Sequence, residues 1–191
     1  MVTLLALVLA AEPHLSEHVT AARPQALSLH AMAGGAFGWA PGDRFTLNVG
    51  VRYRRRDWSI GLEVQPMMPG AVVVTAGEVP GPLRAIVGAE KDIVGMTRGA
   101  GVAGLLPVCF ERSSLFVCAV AAGGGVQVDT VWQPLLSAGG RVGGEFPVGS
   151  PARVRGSVQV LGGLVRPSAG TFWQASPVQL GVMAGLVSDV W

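Results

Sequence analysis

Between residues 44 and 65 the side chains alternate between apolar and polar, and this pattern constrains the fold more than any other feature of the sequence. The apolar positions are Phe45, Leu47, Val49, Val51 and Tyr53, followed by Trp58, Ile60, Leu62 and Val64. Successive side chains of a β-strand point to opposite faces of the sheet. The alternation therefore predicts two strands, each with one apolar face and one polar face.

The basic stretch between these strands predicts a tight β-hairpin. If Arg55 and Arg56 form a two-residue turn, Tyr53 lies opposite Trp58 and the apolar faces of both strands coincide. The next expected pairs are Val51 with Ile60 and Val49 with Leu62. A slip of one residue would move every apolar side chain of one strand to the other face.

Composition indicates where such strands reside. Half of the 191 residues are hydrophobic and only 14% are charged, whereas about a quarter are charged in a typical soluble domain. The longest clean apolar run, residues 4–11, is far shorter than the roughly 18–20 residues of a spanning helix. A chain this apolar can satisfy its backbone in lipid by closing a sheet into a barrel. A soluble glycine-rich sandwich or lipocalin-like barrel is the alternative, and a net charge of +2 is too small to favour nucleic acid.

Further segments complete an expected set of eight strands. They are residues 25–39, 94–110, 115–128, 135–146, 152–166 and 175–191. The connections after the second, fourth and sixth strands are short, and those after the third, fifth and seventh are longer, with the largest running from Met67 to about Asp92. Outer-membrane barrels alternate short periplasmic turns with longer external loops. We therefore predict an all-β fold, an eight-stranded antiparallel up-and-down transmembrane β-barrel over residues 25–191, with Trp39, Tyr53 and Trp58 in an aromatic girdle.

Residues 2–11 are typical of the apolar core of a secretory signal, with small residues for cleavage near Leu9-Ala10-Ala11. The usual Lys or Arg ahead of that core is missing. We expect residues 1–11 to be a signal segment and residues 12–24 a flexible lead.

Several motifs then carry a resemblance to a known family. They are Gly34-Gly35-Ala36-Phe37-Gly38-Trp39-Ala40-Pro41-Gly42, Trp58-Ser59-Ile60-Gly61-Leu62-Glu63, Leu106-Pro107-Val108-Cys109 with Leu115-Phe116-Val117-Cys118, and residues 178–187. Residues 25–191 resemble the eight-stranded outer-membrane β-barrels of the OmpA/OmpX type, and more closely the glycine- and proline-rich barrels of myxobacteria. The resemblance implies the outer membrane of a Gram-negative bacterium, contact with its lipid, insertion by the barrel assembly machinery and a monomer. Asp189 departs from the family pattern, because an apolar residue is expected there in the last strand.

Cys109 and Cys118 are placed symmetrically about Ser113-Ser114. A two-residue turn at the serines would put the cysteines directly across a hairpin, close enough for a disulfide. An even cysteine count in an exported chain also favours a disulfide over a metal site.

The polar faces of the strands are expected to line the lumen of the barrel. The expected lumen charges are Arg52, Glu63, Arg141, Glu145, Arg153 and Arg155. Buried charges must pair, and eight strands leave an interior just wide enough for side chains. We therefore expect an ion-pair network that plugs the barrel, in preference to a conduction path.

The main function predicted is a structural or surface-interaction role through the external loops, without catalysis, cofactor or metal. A lipid-modifying enzyme of the outer membrane is one alternative, in which lumen-facing His30 would need a serine and a carboxylate, such as Ser28 and Glu63. A soluble periplasmic barrel that binds a hydrophobic ligand is another. A membrane barrel and a soluble barrel differ in the side of the wall that Val49, Leu62 and Val158 face.

Overall fold

The computed structural model describes residues 25–42, 45–76, 92–149, 151–169 and 173–190, and gives the backbone alone at residues 70–76, 92–97, 169 and 173. The expected signal segment, the lead and Trp191 lie outside the described residues. The strands are β1 (Gln25–Phe37), β2 (Thr46–Arg55), β3 (Trp58–Ala76), β4 (Asp92–Arg112), β5 (Leu115–Val128), β6 (Val131–Pro147), β7 (Ala152–Val165), β8 (Ser168–Ala169), β9 (Trp173–Gln174) and β10 (Val178–Asp189).

Eight of these strands form a closed antiparallel barrel in the order β1-β10-β7-β6-β5-β4-β3-β2. The predicted eight-stranded barrel is thus confirmed. Strands β8 and β9 pair only with each other, within the connection from β7 to β10. No helix in the described part of the chain is long and apolar enough to cross a membrane.

The hairpin between β2 and β3 has a different register from the one predicted. The turn residues are Arg56 and Asp57, so Arg55 pairs with Trp58 and Tyr53 pairs with Ile60. Arg56 has a φ of 55°, which places it in the left-handed region that a tight hairpin turn requires. Moving the turn by one residue shifts the pairing by two positions. The apolar faces of the two strands therefore still coincide.

The predicted long connection after the fifth strand was wrong. Asp129 and Thr130 form a two-residue turn between β5 and β6, and Asp129 exchanges hydrogen bonds with the backbone of Arg98. Pro134 lies inside β6, where it pairs with Gly125 of β5, while pairing with β7 reaches only as far as Leu136. Proline lacks an amide donor and is found in sheets where a neighbouring strand is missing on one side. Likewise, much of the expected loop from Met67 to Asp92 is strand, since β3 continues to Ala76.

The apolar faces of the barrel strands point outward. Val49, Leu62 and Val158 are 49%, 61% and 46% exposed, while the alternate positions on the same strands are buried. A soluble barrel would point its apolar face into the core. An exterior covered with large apolar side chains indicates contact with lipid.

Exposed aromatic side chains lie near both ends of the barrel. We call the end with the Arg56-Asp57 and Ser113-Ser114 turns the turn end, and the opposite end the loop end. Toward the turn end lie Tyr53, Trp58, Phe110 and Phe146, and toward the loop end lie Phe37, Phe45 and Trp132. Phe45 and Tyr53, eight residues apart on one outward face, are separated by about 20 Å along the axis of a barrel whose strands tilt by about 40°. This spacing suits a bilayer with an aromatic girdle at each surface.

Trp39 does not belong to the girdle that we predicted. Its side chain is fully buried, because β1 ends at Phe37 and the alternation of β1 does not continue past that point. Gly38 has a φ of 89°, a backbone conformation that glycine adopts readily. The turn at Gly38 directs the chain, and Trp39 with it, over the loop end of the lumen.

Replacing Val64 by arginine should destabilise the barrel in lipid by about 2–4 kcal/mol, because a cation at the bilayer midplane is costly. Val64 faces outward and pairs with Val49, midway between Phe45 and Tyr53. Denaturant titration in lipid vesicles measures the effect. Val64→Ala is the matched control, and it removes apolar area without adding charge. Equal stability of the two variants would contradict the outward assignment.

Candidate functional site in the barrel lumen

A guanidinium–carboxylate pair crosses the middle of the lumen. Arg141 lies on β6 and Glu63 on β3, which are three strands apart around the barrel. The Arg141 Nη1 and Nη2 atoms donate to Glu63 Oε1 and Oε2 at 2.6 and 2.7 Å, and both side chains are buried. This bidentate geometry is the strongest form of side-chain ion pair.

Neighbouring polar groups complete this middle pair. Gln159 Oε1 accepts from Arg141 Nε and Nη2 at 2.9 and 2.7 Å. Asn48 Nδ2 donates to Glu63 Oε2 at 2.8 Å, and His30 Nε2 lies 3.3 Å from Glu63 Oε1. These contacts fix both charged groups from several strands, so the pair is held in one geometry.

A second pair crosses the lumen nearer the turn end. Arg52 on β2 and Glu145 on β6 belong to diametrically opposite strands. Both Arg52 Nη atoms donate to the Glu145 carboxylate, Nη2 at 3.0 Å, and Arg52 Nη1 also lies 3.1 Å from Glu111 Oε1. Arg155 Nη1 donates to Glu145 at 2.9 Å, and its guanidinium lies 3.9 Å from the centroid of the Phe116 ring.

Asp189 completes the charged network near the turn end of the lumen. Arg153 donates to its two carboxylate oxygens at 2.6 and 2.8 Å, and the Ser28 hydroxyl donates at 2.8 Å. The departure of Asp189 from the family pattern has this physical cause. Its carboxylate faces the lumen, while Leu186 and Val190 are exposed on the outward face of the chain.

The structure brings together all six charges that we expected in the lumen, and each has an ion-pair partner. Sequence reasoning missed Glu111 and Asp189 as partners. Glu111 lies two residues beyond Cys109 on the same strand, so the period of two could have placed it inside. It was missed because it stands next to the turn.

Apolar side chains fill the lumen toward the loop end. Residues of the β1–β2 connection fold into this region, and Trp39 and Ala40 join one buried cluster with Met67, Val126 and Leu135. Pro41 packs so closely against Gly99 that a Cβ there would lie 2.4 Å from Pro41 Cδ. The charges of the described lumen therefore lie in its middle and toward the turn end, whereas toward the loop end apolar side chains lie beside the uncharged Thr46, Gln65 and Gln179.

The predicted disulfide is present. Cys109 on β4 pairs directly with Cys118 on β5, and their sulfur atoms are bonded at 2.05 Å. Both residues are buried and face the lumen. The bond joins strands that the Ser113-Ser114 turn already connects.

The residues considered for hydrolysis do not form a catalytic triad. His30 and Glu63 are in contact, but the Ser28 hydroxyl donates to Asp189 and not to His30. A hydrolytic triad needs its nucleophile within hydrogen-bond reach of the histidine. Among the described residues, no group of three or more histidine, cysteine or acidic side chains could hold a metal ion.

Comparison with known proteins supports the fold. No protein-family model matches the chain, and no curated protein matches its sequence. Neisserial surface protein A matches with a TM-score of 0.49 and 12% identity over 86% of this chain and 94% of that one. Ail of Yersinia pestis, crystallised with the heparin analogue sucrose octasulfate, matches with a TM-score of 0.41 and 9% identity over 86% and 96%.

A major outer membrane protein of Thermus thermophilus matches with a TM-score of 0.56 and 12% identity, over 87% of this chain and 100% of that one. At this identity the likeness shows the fold alone, and the finer resemblance to myxobacterial barrels stays a prediction. The closed eight-stranded barrel, its outward apolar face and the match to the Thermus structure agree: this chain has the fold of the eight-stranded outer-membrane β-barrels.

Proposed function

We propose that this protein is a non-conducting barrel of the Gram-negative outer membrane, with a structural or surface-interaction role performed beyond the loop end. The observation that carries this proposal is the pair of bidentate bridges across the lumen, Arg141–Glu63 and Arg52–Glu145. Each bridge ties strands on opposite sides of the barrel. A permeating ion would have to separate them.

The size and packing of the barrel favour a plug. Eight strands enclose a space that side chains alone can fill, and here the charged bridges are followed by an apolar layer that contains Trp39 and Leu135. Water-filled channels need larger barrels. The chemistry of the lumen therefore supports rigidity in preference to transport.

The hairpin of β3 and β4 supports a role beyond the membrane. Pairing of β2 with β3 ends at Thr46–Met67, and pairing of β4 with β5 ends at Gly99–Val128. Strands β3 and β4 continue to pair with each other as far as Ala76–Asp92. About seven residues of each strand, roughly 23 Å of extended backbone, thus project past the loop end. This hairpin is the part of the described chain best placed to meet a partner.

Planar-bilayer recording tests the closed lumen. We expect the purified, folded protein to show no stable conductance steps. A second measurement tests whether the bridges contribute to closure of the lumen. It uses a variant in which all four bridge residues are alanine: Glu63→Ala, Arg141→Ala, Arg52→Ala and Glu145→Ala. Protease protection in vesicles verifies that the unmodified protein and the variant are both inserted. Stable steps from the unmodified protein would overturn the proposal.

We propose that the turn end faces the periplasm, because outer-membrane barrels have short turns on that side. Both ends of the barrel sequence lie at this end, since Gln25 pairs with Arg55 and Asp189 pairs with Ser28. Insertion by the barrel assembly machinery and a monomeric state stay predictions. Sedimentation in detergent measures the oligomeric state.

A further inference from the structure

We infer that the exterior of β2, β3 and β4 at the turn end binds the headgroup of an anionic phospholipid. Arg55, Arg56 and Arg112 are all exposed there, and none of them takes part in an ion pair within the described structure. Asp57 is the acidic residue exposed beside them, so the patch has a surplus of positive charge.

The arginines surround an aromatic platform. Arg55 is the cross-strand neighbour of Trp58, and Trp58 is the cross-strand neighbour of Phe110. The Trp58 and Phe110 rings meet edge to face with centroids 5.4 Å apart. Arg112 follows two residues after Phe110 on the same outward face. Arg55 thus lies at the level of the rings and Arg112 lies two residues nearer the turn end, while the apolar wall of the barrel begins on the other side of the rings.

This order of groups matches the order of groups in a phospholipid. Ile60, Leu62 and Val108 present an apolar surface to acyl chains, the rings lie at the interface, and the arginines lie at headgroup level. Strands β2 and β4 are two positions apart in the barrel, which separates their backbones by about 10 Å. Arginine side chains from both strands are long enough to converge on one phosphate between them, and guanidinium groups bind phosphate oxygens in pairs.

Among the described residues, the patch lies in one sector of the barrel. The turn-end residues of β6 and its turn are Phe146, Pro147 and Val148, all uncharged and exposed. Between the aromatic girdles, the exposed outward positions of the described strands carry no charge. A general need for solubility at the periplasmic surface would not concentrate arginine beside Trp58 and Phe110. Electrostatic complementarity therefore commits the patch to a lipid with a net negative headgroup.

Native mass spectrometry of the folded protein in detergent, with phosphatidylglycerol or phosphatidylcholine added, tests this site. We expect preferential retention of phosphatidylglycerol. A variant with Arg55→Gln, Arg56→Gln and Arg112→Gln should bind it on the order of a hundredfold more weakly, since each arginine near an anionic surface contributes about fivefold. Arg98→Gln, at the loop end, is the matched control and should bind phosphatidylglycerol as the unmodified protein does.

Two results of this experiment would overturn the inference, and a competition experiment adds a third. One is equal retention of both lipids by the unmodified protein. The other is unchanged phosphatidylglycerol binding in the triple variant, with folding verified by its mobility on unheated gels. Competition by inorganic phosphate distinguishes a phospholipid headgroup from free phosphate as the anion that the patch binds. Complete displacement at millimolar phosphate would show a free-phosphate site and contradict a lipid site.

Discussion

Replacing Arg141 by alanine is expected to lower the free energy of unfolding by about 3–5 kcal/mol, because the substitution leaves a buried carboxylate without its cationic partner. Glu63 would keep Asn48 and His30 as neighbours, but neither supplies the bidentate donors of a guanidinium. Denaturant titration in lipid vesicles, followed by intrinsic tryptophan fluorescence, measures the loss.

The double variant Glu63→Gln with Arg141→Met shows whether the loss of stability comes from the unpaired charge of Glu63 or from the lost contact. It removes both charges and keeps side-chain volume, so most of the stability should return. Arg98→Ala, which changes an exposed arginine at the loop end, is the matched control and should alter stability by less than about 0.5 kcal/mol. If Arg141→Ala and the double variant were equally unstable, the charge of Glu63 would not be the cause.

Replacing Gly185 by alanine is expected to prevent closure of the barrel. Gly185 lies on β10 at the seam with β1, opposite Met32. A Cβ there would lie 2.0 Å from the carbonyl oxygen of Ala31 and 2.5 Å from the Cα of Met32. Both atoms belong to the backbone, so the two strands would have to separate at the seam that closes the barrel.

Gly181→Ala on the same strand is the matched control. A Cβ at Gly181 would meet Gln159 Cβ at 3.6 Å, an ordinary van der Waals contact. Refolding into detergent, scored by the faster migration of folded barrels on unheated gels, should succeed for Gly181→Ala and fail for Gly185→Ala. Efficient refolding of both variants would show that the seam tolerates a side chain at this point.

The strands could be predicted from sequence because one physical signal governs them. A barrel wall has one face in lipid and one in the lumen, so its side chains alternate strictly, as in residues 45–53. The same signal placed Arg52, Glu63 and Arg141 on one face. It could not assign their partners, because cross-lumen pairs such as Arg52–Glu145 depend on which strands lie opposite each other in the closed barrel.

Turns were predicted less well than strands, and the reason is local. A two-residue turn at Arg55-Arg56 and one at Arg56-Asp57 preserve the same faces, so the apolar pattern does not distinguish them. The choice depends on which residue adopts a positive φ, and here it is Arg56. Trp39 was misplaced for a similar reason. The turn at Gly38 ends the period of two, and hydropathy alone does not report where a strand stops.

Nitroxide labels at Leu62 and Gln65 would test the central claim most directly. Leu62 is exposed outward and Gln65 is fully buried inside, although they lie three residues apart on β3. With each position changed to cysteine and labelled in lipid vesicles, the Leu62 label should collide with dissolved oxygen but not with a water-soluble nickel complex. The Gln65 label should be immobilised and shielded from both. Collision of the Leu62 label with the nickel complex would place the apolar face in water and contradict the membrane barrel.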